Sequence, residues 1–286
     1  MLGVHVSRAS KVLDDKKDSP LDHAITRDCE TLQLNSVQIF THGPQYITKN
    51  KYDVNAVAKV CSSYNTTVHA PYGSSMMWNT SDDTTTANKF EKYLESQLSA
   101  CKEIDAWGVV IHCNRNTPSH VAAVCKKYKP YFIKHGIVLL LEMPASRAHP
   151  EYTYETPEKI NRVNALLGRS NYYAWCIDTA HLWGAGVDCS RYSTMKKWLE
   201  KIADKSRIQQ FHLNGSSSNL GSGADKHEIA FSSVDKIYNG IPWEDSGVRA
   251  VCEFAKKHNA VVICEINRGT ESEVKKLMKL LKAALY

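Results

Sequence analysis

Two hydrophobic rhythms take turns along the chain. Short runs that are apolar throughout, or at every second position, predict β-strands; longer stretches with apolar residues three or four apart predict amphipathic helices. Residues 2–6, 36–40, 66–69, 107–112, 136–142, 172–178, 208–212 and 261–265 read as eight strands. Each is followed by a helical pattern. Leu21, Ala24, Ile25, Cys29 and Leu32 mark a helix over residues 20–34, with Ser19 as its cap and Pro20 in its first turn. Later helices are marked by Val57 and Cys61, Phe90 and Leu94, Val121 and Cys125, Ile160 and Val163, Met195 and Leu199, Val248 and Val251, and Val274 and Leu281. The longest irregular stretch, residues 214–245, is rich in Gly, Ser and Asn.

Eight strands alternating with eight helices predict an α/β protein, a single (β/α)8 barrel spanning residues 1–286 as one catalytic domain. A doubly wound open sheet is the rival, but it carries a Gly-rich phosphate turn after its first strand. Here that turn is Val6-Ser7-Arg8-Ala9-Ser10, without the glycines. The 286 residues suit a barrel, whose typical length is about 250. With 43% hydrophobic and 23% charged residues the chain can bury a core, which excludes a disordered protein. A net charge of +6 permits a polyanionic partner without requiring one. Nine cysteines, an odd number with no C-x-x-C pair, fit a reducing compartment better than a disulfide framework. The start Met-Leu-Gly-Val-His-Val is too short an apolar run for a signal peptide, and no run approaches the ~18 apolar residues of a membrane span. A soluble monomer in the cytoplasm or nucleus is expected.

Chemistry gathers where the strands end. Six of the eight finish on His69, His112, Glu142, Asp178, His212 and Glu265. Parallel strands in a closed barrel bring their carboxyl ends around one opening, so these side chains would converge. His181 follows three residues after Asp178, on a turn leaving the strand, and Asp225 and His227 flank Lys226 in the Gly/Ser-rich loop, on one side of an extended segment. A lone strand-end histidine is more often a hydrogen-bonded structural residue, and a lone carboxylate a helix cap. Repetition over six strands weakens that reading. His5 remains a structural residue, and His23, His42, His120, His135, His149 and His258 are expected to be solvated or satisfied locally. Mixed imidazole and carboxylate donors suit zinc or manganese better than calcium or an iron–sulfur cluster. Nine donors exceed the needs of one ion, whereas three ions sharing one bridging glutamate would use them all.

Together these motifs resemble the endonuclease IV family of abasic-site DNA repair enzymes, in matching order over nearly the whole chain. The runs are Gly3-Val4-His5-Val6-Ser7, Val68-His69-Ala70-Pro71-Tyr72, Ile111-His112, Leu141-Glu142-Met143, Cys176-Ile177-Asp178-Thr179-Ala180-His181 with Ala185-Gly186, His212-Leu213-Asn214, Asp225-Lys226-His227-Glu228 and Cys264-Glu265. The resemblance implies three Zn²⁺, with Mn²⁺ an option at one or more positions. By that pattern His69, His112 and Glu142 hold one ion, Glu142, Asp178, His212 and Glu265 a second, and His181, Asp225 and His227 a third. It implies double-stranded DNA containing abasic sites as substrate, Glu142 and Glu265 as catalytic residues, and Tyr72 and Gln45 in contact with the lesion; Lys226, by its place between Asp225 and His227, is either a further DNA contact at an anionic oxygen or a surface lysine. It also raises processing of 3′ ends as a companion activity. Departures fall in the loops: Cys113-Asn114 where the family has Pro-Gly, Gly215 where it has Asp, Ile229-Ala230 where it has Ile-Gly, and Gln45 at a position commonly arginine. They suggest a divergent, viral-type member. The rival function is a metal-dependent sugar isomerase or epimerase on the same barrel, using Glu142, Asp178, His212 and Glu265 for one Mn²⁺. That reading leaves His69, His112, His181, Asp225 and His227 without a shared purpose.

Overall fold

A computed structural model of the chain describes residues 1–6, 20–42, 52–71, 78, 84–113, 116–145, 155–266 and 270–286. Its strands are β1 (Leu2–Val6), β2 (Ser36–Ile39), β3 (Asn65–His69), β4 (Gly108–His112), β5 (Val138–Glu142), β6 (Tyr173–Asp178), β7 (Ile208–His212) and β8 (Val261–Cys264). All are parallel and neighbour one another in chain order. Pairing of Leu2, Gly3 and Val4 with Val262, Ile263 and Cys264 closes the circle. The predicted barrel is therefore the observed one. The helices among the described residues are α1 (Leu21–Thr31), α2 (Val54–Cys61), α3 (Thr84–Glu103), α4 (Pro118–His135), α5 (Pro157–Leu167), α6 (Thr179–Gly184), α7 (Tyr192–Glu200), α8 (Gly247–His258) and α9 (Glu271–Leu285).

Local chemistry explains where these elements start and stop. Thr117 and Thr156 cap α4 and α5, each followed by a proline whose missing N–H costs nothing in the first turn. Thr270 and Glu273 form a reciprocal capping box at α9. Three of the differences from expectation have a clear local cause. Gly136 ends α4 in the left-handed conformation, at φ 69°, so β5 begins at Val138 rather than at residue 136. Helix α1 stops at Thr31, since Gln33 turns the chain at φ 49°. Helix α6 was expected only as a turn; the Asp178 carboxylate caps it by accepting from the His181 amide at 2.9 Å. Ser19, the expected cap of α1, lies outside the described residues, and Pro20 at that end makes no side-chain cap.

Strands such as β2 and β6 are buried at every position, because one face meets the helix ring and the other the barrel interior. Val110, Leu140, Ala174 and Cys176 pack as a separate small cluster. They lie two or four residues before His112, Glu142 and Asp178, and side chains two apart share a face. This cluster is thus the floor beneath the strand-end groups. All nine cysteines are buried and unpaired, acting as small hydrophobes. No helix among the described residues is long and apolar enough to cross a membrane.

Closure depends on close approach at Gly3. A Cβ there would stand 2.4 Å from the Ser36 carbonyl oxygen and 2.8 Å from Ile263 Cδ1. Gly3→Ala is therefore expected to destabilise the barrel by roughly 1–3 kcal/mol, read as a lowered denaturation midpoint. An unchanged midpoint would mean that the β1–β2 seam yields freely.

Candidate metal centre

Strand register sets the centre. His112 is paired with Glu142 across β4 and β5, and Asp178 with His212 across β6 and β7. His69 ends β3, and Glu265 stands one residue beyond β8. All six predicted strand-end groups therefore sit at one mouth, with His181 on α6 and Asp225 and His227 on the long loop after β7.

Glu142 lies at the middle and is almost wholly buried. Its Oε2 is 3.0 Å from His112 Nε2 and 3.3 Å from His69 Nε2; its Oε1 is 2.9 Å from His212 Nδ1 and 3.4 Å from His181 Nδ1. His212 Nδ1 also faces Glu265 Oε2 at 3.4 Å and Asp178 Oδ2 at 3.7 Å. His227 Nε2 lies 2.9 Å from Asp225 Oδ1 and 3.5 Å from Asp178 Oδ2, and His181 Nε2 is 3.3 Å from Asp225 Oδ1. All nine predicted residues therefore form one continuous cluster.

Charge explains the shifts within it. Burial alone would raise the Glu142 carboxyl, but the His212 and His112 imidazoles hold it well below the usual range. Glu265 is held low in the same way, by His212 and by hydrogen bonding to His5. Burial disfavours protonated His181, His212 and His227, yet surrounding carboxylates, joined at His212 by Cys176, outweigh it and push all three up, His227 to about 9. Without other cations, protons must neutralise this cluster.

The donors also fit metal ions. Two ligands on a tetrahedral ion at 2.0–2.2 Å lie about 3.4 Å apart, close to the separations found here. Triplets His69–His112–Glu142, Glu142–Asp178–His212, Asp178–His181–His227 and His69–His212–Glu265 each bring ligand atoms within 4.8 Å of one another. Glu142 Oε2, His181 Nε2 and His227 Nε2 are buried and make no hydrogen bond, although cluster atoms crowd them. A cation at their centre would satisfy all three. The Nδ1–H of His69 points to the Ala70 carbonyl at 2.7 Å and that of His181 to the Met143 carbonyl at 2.6 Å, which leaves Nε2 of each ring available as a ligand.

Several contributors were not read from sequence as site residues. Asn214 Nδ2 donates to both Asp178 Oδ2, at 2.8 Å, and Glu265 Oε2, at 3.0 Å, holding two like charges in place. His5, expected to be merely structural, lies 3.2 Å from Glu265 Oε1. Gln38, fully buried between Val37 and Ile39 in β2, approaches His5 and His212; an amide between two branched apolar residues of a strand is a signal the sequence offered. The loop after β7 is organised by Asp235, whose carboxylate accepts from the amides of Ser216, Phe231, Ile237 and Tyr238 at 2.8–3.1 Å. A Cβ on Gly215 would stand 2.6 Å from the Asp235 carboxyl carbon, which accounts for glycine at that departure. Among the remaining histidines, His42 is buried against Thr41 and Ser96, His120 bonds the Trp78 carbonyl, and His135 pairs with Glu95. Lys226 is exposed. Tyr72, Gln45 and His149 lie outside the described residues.

A closed parallel barrel with a histidine–carboxylate cluster at its carboxyl-end mouth defines the class. Residues 27–284 match the family described as the xylose isomerase-like TIM barrel, and the chain belongs to that family. Among curated relatives, a probable AP endonuclease of African swine fever virus is 27% identical over 259 residues, covering 84% of this chain and 82% of that protein. Among solved structures, one described as AsfvAP:AG is 25% identical with a TM-score of 0.84, covering 100% of this chain and 99% of the other. Endonuclease IV from Thermus thermophilus shares the fold at 23% identity, TM-score 0.72, with 99% and 98% covered. The fold is shared too by a D-tagatose 3-epimerase-like protein, at 16% identity, TM-score 0.64, with 99% and 96% covered.

Because metal and protons compete for the same imidazoles, loading the metal-free protein near neutral pH should release protons. Calorimetry in buffers of different ionisation enthalpy reads this directly; absence of release would contradict the assigned donors. The metal-free form should itself depend on pH. Its raised histidines contribute stability present below the ordinary value of 6.5 and lost as pH rises through about 9 for His227. Its depressed carboxylates contribute stability present above the ordinary 4.5 and lost in acid. Metal-free denaturation midpoints should therefore peak between those two values.

Proposed function

We propose that this chain is a zinc-dependent endonuclease that cuts duplex DNA at abasic sites, hydrolysing the phosphodiester 5′ to the lesion. Products are a 3′-hydroxyl and a 5′-deoxyribose phosphate. The single observation carrying this reading is the nine-residue cluster. A one-ion site on the same barrel needs about four donors, whereas His69, His112, His181, Asp225 and His227 here join Glu142, Asp178, His212 and Glu265. A probable AP endonuclease of African swine fever virus, similar over most of both chains, supports it.

In this reading His69, His112 and Glu142 hold one zinc, Glu142, Asp178, His212 and Glu265 a second, and His181, Asp225 and His227 a third. Bound zinc supplies charge neutralisation for a phosphodiester and makes water nucleophilic near neutral pH. The protein's own part is positioning. Glu142 joins two donor groups and fixes their spacing, while Asn214 fixes the carboxylates of Asp178 and Glu265. Four carboxylates facing three divalent ions leave a net positive mouth, which suits a polyanion and not a neutral sugar. An abasic nucleotide has no base to unstack, so extruding it into such a mouth costs less than extruding an intact one. Tyr72 and Gln45 fill the space left in the duplex, and Lys226 meets phosphate.

The family's sugar-isomerising relatives support a second reading, one Mn²⁺ on Glu142, Asp178, His212 and Glu265 acting on a ketose. Incubating the purified protein with duplex carrying a tetrahydrofuran lesion, and separately with ketohexoses, decides between them. Incision 5′ to the lesion is expected, abolished by chelation long enough to strip the metal. Glu142→Gln should reduce incision by more than about 100-fold, since even outer partners of metal ligands cost 10–100-fold. Near-normal cutting by that variant, or sugar turnover without cutting, would overturn the proposal. Affinity for the lesion duplex should fall linearly on logarithmic axes as salt rises, and a flat response would rule out phosphate-led binding.

A further inference from the structure

Beneath the cluster, two glutamines meet across the barrel. Gln38 on β2 and Gln210 on β7 are both fully buried, and Gln210 Nε2 donates to Gln38 Oε1 at 2.6 Å. Barrel interiors are usually filled by branched apolar residues, and a buried amide is costly unless its polar atoms are used. Gln38 uses its own. Its Oε1 lies 3.0 Å from His212 Nε2 and 3.4 Å from Thr67 Oγ1, and its Nε2 lies 3.0 Å from His5 Nδ1.

We propose that Gln38, held by Gln210, is a positioning residue that selects the tautomer of His212, keeping the proton on Nε2 and turning Nδ1 to the metal. His212 differs from its neighbours in this respect. Main-chain carbonyls hold the proton of His69 and His181 on Nδ1, and these rings offer Nε2. Among the described residues, the oxygen that meets His212 Nε2 is the Gln38 amide oxygen and not a main-chain carbonyl. Nδ1 is the atom that faces Glu142, Asp178 and Glu265. Exchanging amide oxygen and nitrogen on both glutamines keeps the tautomer and passes the accepting role from Gln38 to Gln210. Gln210 Nε2 lies 3.1 Å from His212 Nε2, so the turned Gln210 would present its oxygen there instead. Gln38 Nε2 and Glu265 Oε1 both face the same His5 atom, Nδ1, at 3.0 and 3.2 Å, so Gln38 also abuts the ring beside Glu265.

This inference rests on the metal-dependent reading but not on DNA as the substrate, and its test is independent of cutting. Long-range ¹H–¹⁵N spectra of the zinc-loaded protein should show His212 protonated at Nε2. Protonation at Nδ1 would overturn the proposal without any variant. Competition with a chromophoric chelator should show Gln38→Met binding one zinc about 10–100-fold more weakly, with the others little changed. Gln38→Glu, which keeps an acceptor oxygen, should restore most of that affinity, and Gln210→Met should have a smaller effect in the same direction. Gln38→Met that folds, as judged by circular dichroism, and binds every zinc with unchanged affinity would sink the idea. If wild-type protein binds zinc as stated but leaves abasic duplex intact, the proposed substrate fails while the positioning role stands.

Discussion

Everything in this molecule turns on one buried carboxylate. Glu142 stands at the end of β5 with four imidazoles within 3.4 Å of its two oxygens. A carboxylate taken out of water survives as an anion only among partners that neutralise it. The partners come from β3, β4, α6 and β7, so Glu142 is satisfied only when the barrel has closed and its register is right. A slip of one residue in any of these strands would turn its ligand to the opposite face. Fold and site therefore stand or fall together.

Much of this was legible in the chain. Strand-end chemistry repeated six times, and the period of two then placed each ligand above an interior residue such as Val110 or Leu140. Asp178-Thr-Ala-His181 was readable as a turn but not as helix α6, because the cap that makes the helix is the same carboxylate that was read as a ligand. The start of β5 was misplaced because Gly136 is apolar by composition yet serves the preceding helix through its left-handed conformation. Gln38 and Gln210 could not be paired in advance: 172 positions separate them, and nothing local to either records the other. Asn214 stood within a recognisable motif, but its hold on Asp178 and Glu265 belongs to the folded geometry.

The loop departures acquire physical meaning in this setting. Gly215 makes room for the Asp235 carboxylate, and that carboxylate gathers four backbone amides into the turn supporting the segment of Asp225 and His227. Glycine here and aspartate twenty residues later thus form one unit. The barrel itself is common to epimerase-like and endonuclease proteins, so architecture alone does not choose a substrate. The choice lies in the donors beyond the central four, and those donors crowd together at ligand distances.

Nine donor groups gathered into one cage should hold several cations. The most direct measurement is metal content per chain, by plasma mass spectrometry on protein purified without chelator and then equilibrated with zinc and desalted. Three zinc ions per chain are predicted, falling to two or fewer in His181→Ala/His227→Ala. A single ion per chain, unchanged in that double variant, would contradict the account.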